Sequence, residues 1–140
     1  MESELFCSVC SESFPHQMHF PQTIPYRQHV ERVAVGELDN QIIEQVFSKN
    51  EKKQYDGKPQ QTIAGIIVAK KAVLALIKQR CHTSLHYHDV RIDHTETGAP
   101  RAVIVNWKSR GREKPAVNIS ISHTKNYAYA CAWSQGGDGE

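Results

Sequence analysis

One apolar segment limits how this chain of 140 residues can fold. From Thr62 to about Arg80 the sequence TIAGIIVAKKAVLALIKQR is apolar on nearly all sides of a helix. Such a helix is stable when other elements surround it, so we expect it at the centre of the fold. Lys70, Lys71 and Lys78 are its polar exceptions, and at about 100 degrees per residue they project within one sector of the helical wheel. We expect that sector to face solvent or an anion.

Four strand segments are predicted after this helix. In NISISHTKNYAYACAW, residues 118–133, Ile119 and Ile121 alternate with polar residues, and larger residues alternate with three alanines. Alternation with a period of two is typical of half-buried strands. The alanines leave one face flat, so another element can approach it closely. The predicted strands are 85–93, 101–107, 116–122 and 127–134, and the Thr97-Gly98 turn separates the first two.

The part of the chain before the central helix predicts short helices. Asp39 is a plausible N-cap for an apolar stripe that ends at Phe47. Ser48 and Glu51 have the capping-box spacing, which indicates a second helix or turn. A helical half followed by consecutive strands predicts a single α+β domain whose central helix packs on an antiparallel sheet. We assign 1–28 to an irregular segment, 29–135 to the domain and 136–140 to a flexible tail.

Composition excludes several classes of protein. A net charge of +2 argues against strong binding to nucleic acid. Lys70 and Lys71 interrupt the longest apolar run, so we expect no membrane-spanning segment. The N-terminus shows no secretory signal. Four cysteines are too few and too unevenly spaced for a disulfide framework, and we expect a reducing, cytoplasmic location.

Two groups of residues are candidates for a metal site. Cys7, Cys10, His16 and His19 offer four zinc ligands within 13 residues, although the two pairs lie closer together than is usual. This cluster favours an alternative function, a small zinc-binding or protein-interaction domain without enzyme activity. A second candidate metal set is His82, His86 and His88.

The remaining polar groups favour a site for a phosphorylated ligand. A Ser122-His123-Thr124 turn joins the last two predicted strands, and its imidazole is a possible proton acceptor. Lys70 and Lys71 supply positive charge, and the loop 108–114 adds more. We find no P-loop, dinucleotide-binding motif or nucleophile elbow.

Five segments, taken in order, resemble the short, holo-acyl-carrier-protein synthase type of 4'-phosphopantetheinyl transferases. The resemblance covers roughly residues 41 to 134. It implies an α+β fold, a trimer with sites between subunits, and transfer of phosphopantetheine from coenzyme A to a serine of an acyl carrier protein. It also implies a magnesium ion and a base for the attacking serine. The matching segments are VFSKNE (46–51), IAGIIVAKKA (63–72), HDVRID (88–93), TGAP (97–100) and ISISHTKNYAYA (119–130).

The same resemblance implies roles for individual residues. His123 and Thr124 match positions at the coenzyme A site, and Ser122 is expected to shape the turn. Lys70 matches the lysine of the family's Ala-Lys-Glu-Ala helix motif. His123, Lys70 and Lys71 are therefore the candidate catalytic residues, and Lys70 also belongs to the candidate cofactor-binding set with the three turn residues.

Several expected site residues are replaced. Lys71 stands where the motif has its metal-binding glutamate, and a protonated lysine offers donors and no acceptor. Ile66 and Ala75 replace an arginine and a lysine of the family's helix. The stretch 21–32, where the second carboxylate is expected, has no aspartate. Asp39 is a magnesium candidate, and we predict that catalysis is lost or reorganised.

Overall fold

The computed structural model describes residues 26–107 and 113–135. The candidate zinc ligands Cys7, Cys10, His16 and His19, and the predicted tail, lie outside these ranges. The helices are α1 (Asn40–Val46), α2 (Lys49–Tyr55) and α3 (Gln60–Cys81), and the strands are β1 (Tyr26–Ala34), β2 (Val90–His94), β3 (Pro100–Ile104), β4 (Asn118–His123) and β5 (Tyr127–Gln135).

A single α+β domain is confirmed, with α3 at its centre. Strands β1, β5 and β4 form an antiparallel sheet in that order. Its inner face presents Ala128, Ala130 and Ala132 to α3, and all three alanines are fully buried. Small side chains in register allow close approach of the helix, so the prediction of a flat alanine face is confirmed.

The prediction of one four-stranded sheet is wrong. Strands β2 and β3 form a separate hairpin, and its buried residues Val90, Ile92 and Ile104 join the same core. The sheet instead gains β1, which begins at Tyr26 inside the segment predicted to be irregular. Because α3 is apolar all round, the chain covers it from several sides rather than with one sheet.

The first of the predicted strands begins later than expected. Residues Tyr87–Asp89 form one turn of 3-10 helix before β2, so residues 85–89 are not strand. The predicted turn is confirmed: Gly98 has a φ of 90° and donates its N–H to the Thr95 carbonyl oxygen at 2.9 Å. A side chain would be strained at that φ, which explains the glycine.

The two predicted helix starts are confirmed in atomic detail. Asp39 accepts a hydrogen bond from the Ile42 N–H at 2.9 Å and so caps α1. Ser48 accepts from the Glu51 N–H at 3.2 Å, and the Glu51 carboxylate accepts from the Ser48 N–H at 2.9 Å. This reciprocal capping box begins α2.

Helix α3 spans 22 residues, and by length and composition it would suffice to cross a membrane. The prediction that Lys70 and Lys71 leave no apolar segment able to span a membrane is therefore wrong by length and composition. Val68, Val73 and Leu76 on different sides of the helix are all fully buried in the domain. The surrounding protein, rather than lipid, thus covers most of the apolar surface of α3.

Candidate functional site

A cavity of about 210 Å³ lies where α3, the β2–β3 hairpin and the end of β4 meet. Gly65 and Ile66 contribute from α3, and His123 contributes from β4. The hairpin contributes Gly98 and Pro100 from its TGAP turn. The cavity is therefore lined by residues from three of the segments that carry the family resemblance. The full set of described lining residues is Gln61, Thr62, Gly65, Ile66, His94, Gly98, Pro100, Ile121 and His123.

Close packing of α3 on β4 shapes one wall of this cavity. A Cβ atom added at Gly65 would lie 3.0 Å from the Ile121 Cγ2 atom, so only a glycine fits there without displacement. Helix α3 begins after Pro59, which supplies no side-chain cap. The first turn of α3 includes Gln61 and Thr62, which line the cavity. Because no side chain caps this turn, the positive end of the helix dipole lies beside the cavity.

The turn between β4 and β5 is built differently from the expectation. The Thr124 hydroxyl oxygen accepts from the N–H groups of Asn126 and Tyr127 at 3.2 and 3.1 Å. Thr124 thus shapes the turn, the role expected of Ser122. Within the described ranges the buried Ser122 hydroxyl has no hydrogen-bond partner. Of the three turn residues, only His123 is among the described residues that line the cavity.

Lys70 lies in the core, so the prediction that it shares an outward sector with Lys71 and Lys78 is wrong. The side chain is fully buried, and its Nζ donates to the Glu51 carboxylate at 2.7 Å. It also donates to the carbonyl oxygens of Val46 at 3.1 Å and Tyr87 at 3.2 Å. These bonds use all three ammonium protons.

The surroundings of Lys70 affect its ionisation. Burial lowers the pKa of Lys70, and the hydrogen bond that it donates to Glu51 opposes the shift. The ammonium lies 5.7 Å from the centre of the Phe47 ring, a further favourable contact for a cation. Because Lys70 ties α1, α2 and α3 together and does not reach the cavity, we assign it a structural role.

Lys71 lies apart from the cavity to which His123 contributes. Lys71 is partly exposed and is not among the described residues lining the cavity. It projects about 120–140° around α3 from Gly65 and Ile66. A site that includes both Lys71 and the cavity therefore requires two chains, one that supplies the lysine and one that supplies the cavity.

A polar cluster on β1 was missed by the sequence prediction. His29 Nε2 lies 2.5 Å from the Glu31 carboxylate, and His29 Nδ1 lies 3.3 Å from the Gln79 side-chain nitrogen on α3. Glu31 pairs with Ala130 on the inner row of the sheet, so it faces α3. Glu31 thus places a carboxylate on β1 that faces α3, and the i, i+2 spacing of His29 and Glu31 was the available signal.

The other metal candidates among the described residues are not assembled into a site. The Asp39 carboxylate caps α1. His86 and His88 line a second cavity of about 510 Å³, to which His82 does not contribute among the described residues. Across residues 26–107 and 113–135, no three histidine, cysteine, aspartate or glutamate side chains are grouped to hold a metal ion.

Comparison with known proteins identifies the family. A holo-[acyl-carrier-protein] synthase of a Thermoanaerobacter species is 31% identical over 116 residues, which cover 78% of this chain and 83% of the relative. One from a Nitratiruptor species is 37% identical over 75 residues, which cover 54% and 65%. The chain belongs to the holo-[acyl-carrier-protein] synthase family. No family model matches it.

Solved structures support the same fold. The Bacillus anthracis holo-(acyl-carrier-protein) synthase in complex with CoA (3',5'-ADP) has a TM-score of 0.61 and 17% identity, covering 79% of this chain and 96% of that one. The Helicobacter pylori enzyme in complex with coenzyme A has a TM-score of 0.57 and 18% identity, covering 76% and 97%. At these identities the likeness concerns the fold.

Proposed function

We propose that this protein binds coenzyme A in the cavity between α3, the hairpin and β4. The observation that carries the proposal is the meeting of three resembling segments at one cavity, through Gly65, Gly98 and His123. These segments are far apart in sequence, and the fold brings them together around a space suited to part of a phosphorylated ligand. Complexes of the Helicobacter and Bacillus relatives with coenzyme A or 3',5'-ADP support the choice of ligand.

We further propose that the protein acts on an acyl carrier protein in the cytoplasm, with transfer of phosphopantetheine to a serine as the family reaction. His123 is the candidate base, and Thr124 holds the turn beside it. A base must lie within hydrogen-bond reach of the serine hydroxyl, and the exposed His123 is accessible to a docked carrier.

A magnesium ion does not fit the described residues. Lys71 occupies the motif position of a carboxylate and offers no lone pair while protonated. Glu31 faces α3 but is paired with His29. We therefore propose that Lys71 contributes one positive charge toward a phosphate, and that transfer is slow or absent because no coordination template is present.

We propose a homo-oligomer, a trimer by resemblance, in which Lys71 of one subunit completes the cavity of a neighbour. Two features support this arrangement. Within one chain, Lys71 projects away from the α3 residues that line the cavity together with His123. Among the described residues, Val30 is the large hydrophobic side chain that is exposed, at 39%, and it lies on the sheet face opposite α3.

The proposal is tested by titrating coenzyme A into the protein with and without magnesium, at low and high salt. We expect binding that is insensitive to magnesium and weakened by salt, since charge pairing contributes to it. Replacement of Lys71 by alanine should weaken binding about tenfold. The matched control is Lys78→Ala, an exposed lysine on the same helix, which should bind like the wild type.

Mass spectrometry of an acyl carrier protein after incubation measures the reaction itself. We expect little phosphopantetheine transfer, and Lys71→Glu should not restore it because it supplies a single ligand. Rapid transfer that requires magnesium would contradict the assignment of Lys71. In that case Glu31→Gln, Glu37→Gln and Asp39→Asn would locate the carboxylate that was misassigned. Absence of coenzyme A binding under all conditions would refute the proposed function.

A further inference from the structure

Two histidines from separate elements line the same cavity. His94 is the last residue of β2, and His123 is the last residue of β4. The other described residues that line the cavity have no ionisable side chains. Within the described lining, a positive side-chain charge is therefore present beside an anion only when one of the two imidazoles is protonated.

Charged groups near His94 lie on the other face of the hairpin. Strand alternation places Arg91, Asp93 and Arg101 opposite to the face that carries His94 and the buried Val90. The Asp93 carboxylate accepts two hydrogen bonds from Arg91, at 2.9 and 3.1 Å. These bonds, with smaller contributions from Arg101 and His94, hold the pKa of Asp93 below its ordinary value. Asp93 is thus already neutralised by arginine.

The remaining elements around the cavity add little charge. The first turn of α3 presents Gln61 and Thr62, which are neutral. Strand β4 presents Ile121 beside His123, and Lys125 follows in an exposed turn. Glu96 lies in the exposed hairpin turn, beyond His94. Within the described lining, the two imidazoles are consequently the side chains that can present a positive charge to a bound anion.

We propose that His94 and His123 together form a phosphate subsite whose affinity rises as the pH falls. The inference rests on the proposed coenzyme A site and identifies His94 as a residue that sets its pH dependence. An imidazolium donates a charge-assisted hydrogen bond to a phosphate oxygen, which is stronger than the bond from a neutral imidazole. Because both imidazoles line one small cavity, both are available to the same phosphate group.

The test compares coenzyme A affinity at about pH 8 and about pH 5.5, on either side of the imidazole range. A phosphate monoester itself takes up a proton near pH 6, so variants are compared with the wild type at each pH. His94→Gln should match the wild type at the higher pH and bind about fivefold more weakly at the lower one. His94→Lys should bind tightly at both. His88→Gln, which removes an exposed imidazole elsewhere, should behave like the wild type.

Each result separates the subsite from the function on which it rests. If the wild type binds coenzyme A at neither pH, the proposed function fails. If the wild type binds but His94→Gln follows it at both pH values, the subsite is overturned and the proposed function stands. Dephospho-coenzyme A, which lacks the 3'-monoester, shows which phosphate is held. If His94→Gln weakens the binding of coenzyme A or of dephospho-coenzyme A at the lower pH, the subsite is supported. If it weakens the binding of neither, the subsite is overturned. Circular dichroism confirms that the variants are folded.

Discussion

Replacing Lys70 by methionine should lower the free energy of unfolding by about 3–5 kcal/mol, because it removes one partner of a buried ion pair. Methionine keeps most of the apolar stem and deletes the ammonium. The Glu51 carboxylate, only 7% exposed, then loses its counter-ion. The carbonyl oxygens of Val46 and Tyr87 also lose a donor. For a chain of this size the melting temperature should fall on the order of 10–15 °C.

The measurement is urea denaturation followed by circular dichroism, at several protein concentrations because oligomerisation shifts apparent stability. Lys78→Met is the matched control, since Lys78 is exposed on the same helix, and it should change stability by about 0.5 kcal/mol or less. The double variant Lys70→Met with Glu51→Gln should recover part of the loss, because no unpaired charge stays buried. A loss under about 1 kcal/mol for Lys70→Met would refute the buried pair.

The pH dependence gives an independent check. The pKa of Lys70 is lowered from its ordinary value of 10.5, chiefly by burial. Between the folded and unfolded pKa values the unfolded chain binds more protons, so this group makes stability rise with pH. The stability difference between the wild type and Lys70→Met should therefore widen as the pH rises toward 10.5. A difference that shrinks over this range would contradict the direction of the shift.

Other substitutions test local features. Gly65→Ala should destabilise the protein by about 1 kcal/mol and weaken coenzyme A binding. The added Cβ would crowd the Ile121 side chain, and the cost of this contact exceeds the stability gained from the higher helix propensity of alanine. Gly36→Ala, with no atom within 4 Å of the added Cβ, is the control in thermal melts. Ser48→Ala should cost about 1 kcal/mol through loss of the α2 cap, measured by urea denaturation; an unchanged midpoint would show that the cap contributes nothing.

Local features of the fold were predictable from the sequence. The caps at Asp39 and Ser48, the turn at Gly98 and the alanine face of β5 each depend on residues close together in the chain. Hydrogen-bond geometry and side-chain periodicity determine such features over a few residues. The central position of α3 was predictable for a related reason, since an apolar surface on all sides has to be covered.

The family resemblance pointed to His123 and to the segments around the cavity, but it did not predict their surroundings. His94 joins the cavity because the β2–β3 hairpin packs beside α3, and nothing within β2 itself indicates this. Thr124, rather than Ser122, holds the turn because its hydroxyl meets two backbone N–H groups. Two neighbouring hydroxyl groups look equally suitable in the sequence, and only the folded geometry shows which one holds the turn.

Lys70 and Lys71 show most directly what the tertiary structure decided. They are adjacent in sequence and were placed in the same outward sector, yet Lys70 is fully buried and Lys71 is partly exposed. The partner of Lys70 is Glu51, whose role as a capping residue was predictable but whose pairing across 19 positions was not. The helical wheel determines the direction of each side chain. Whether that direction meets water or a carboxylate depends on how α1 and α2 pack against α3, because long-range packing supplies the groups that make a buried charge stable.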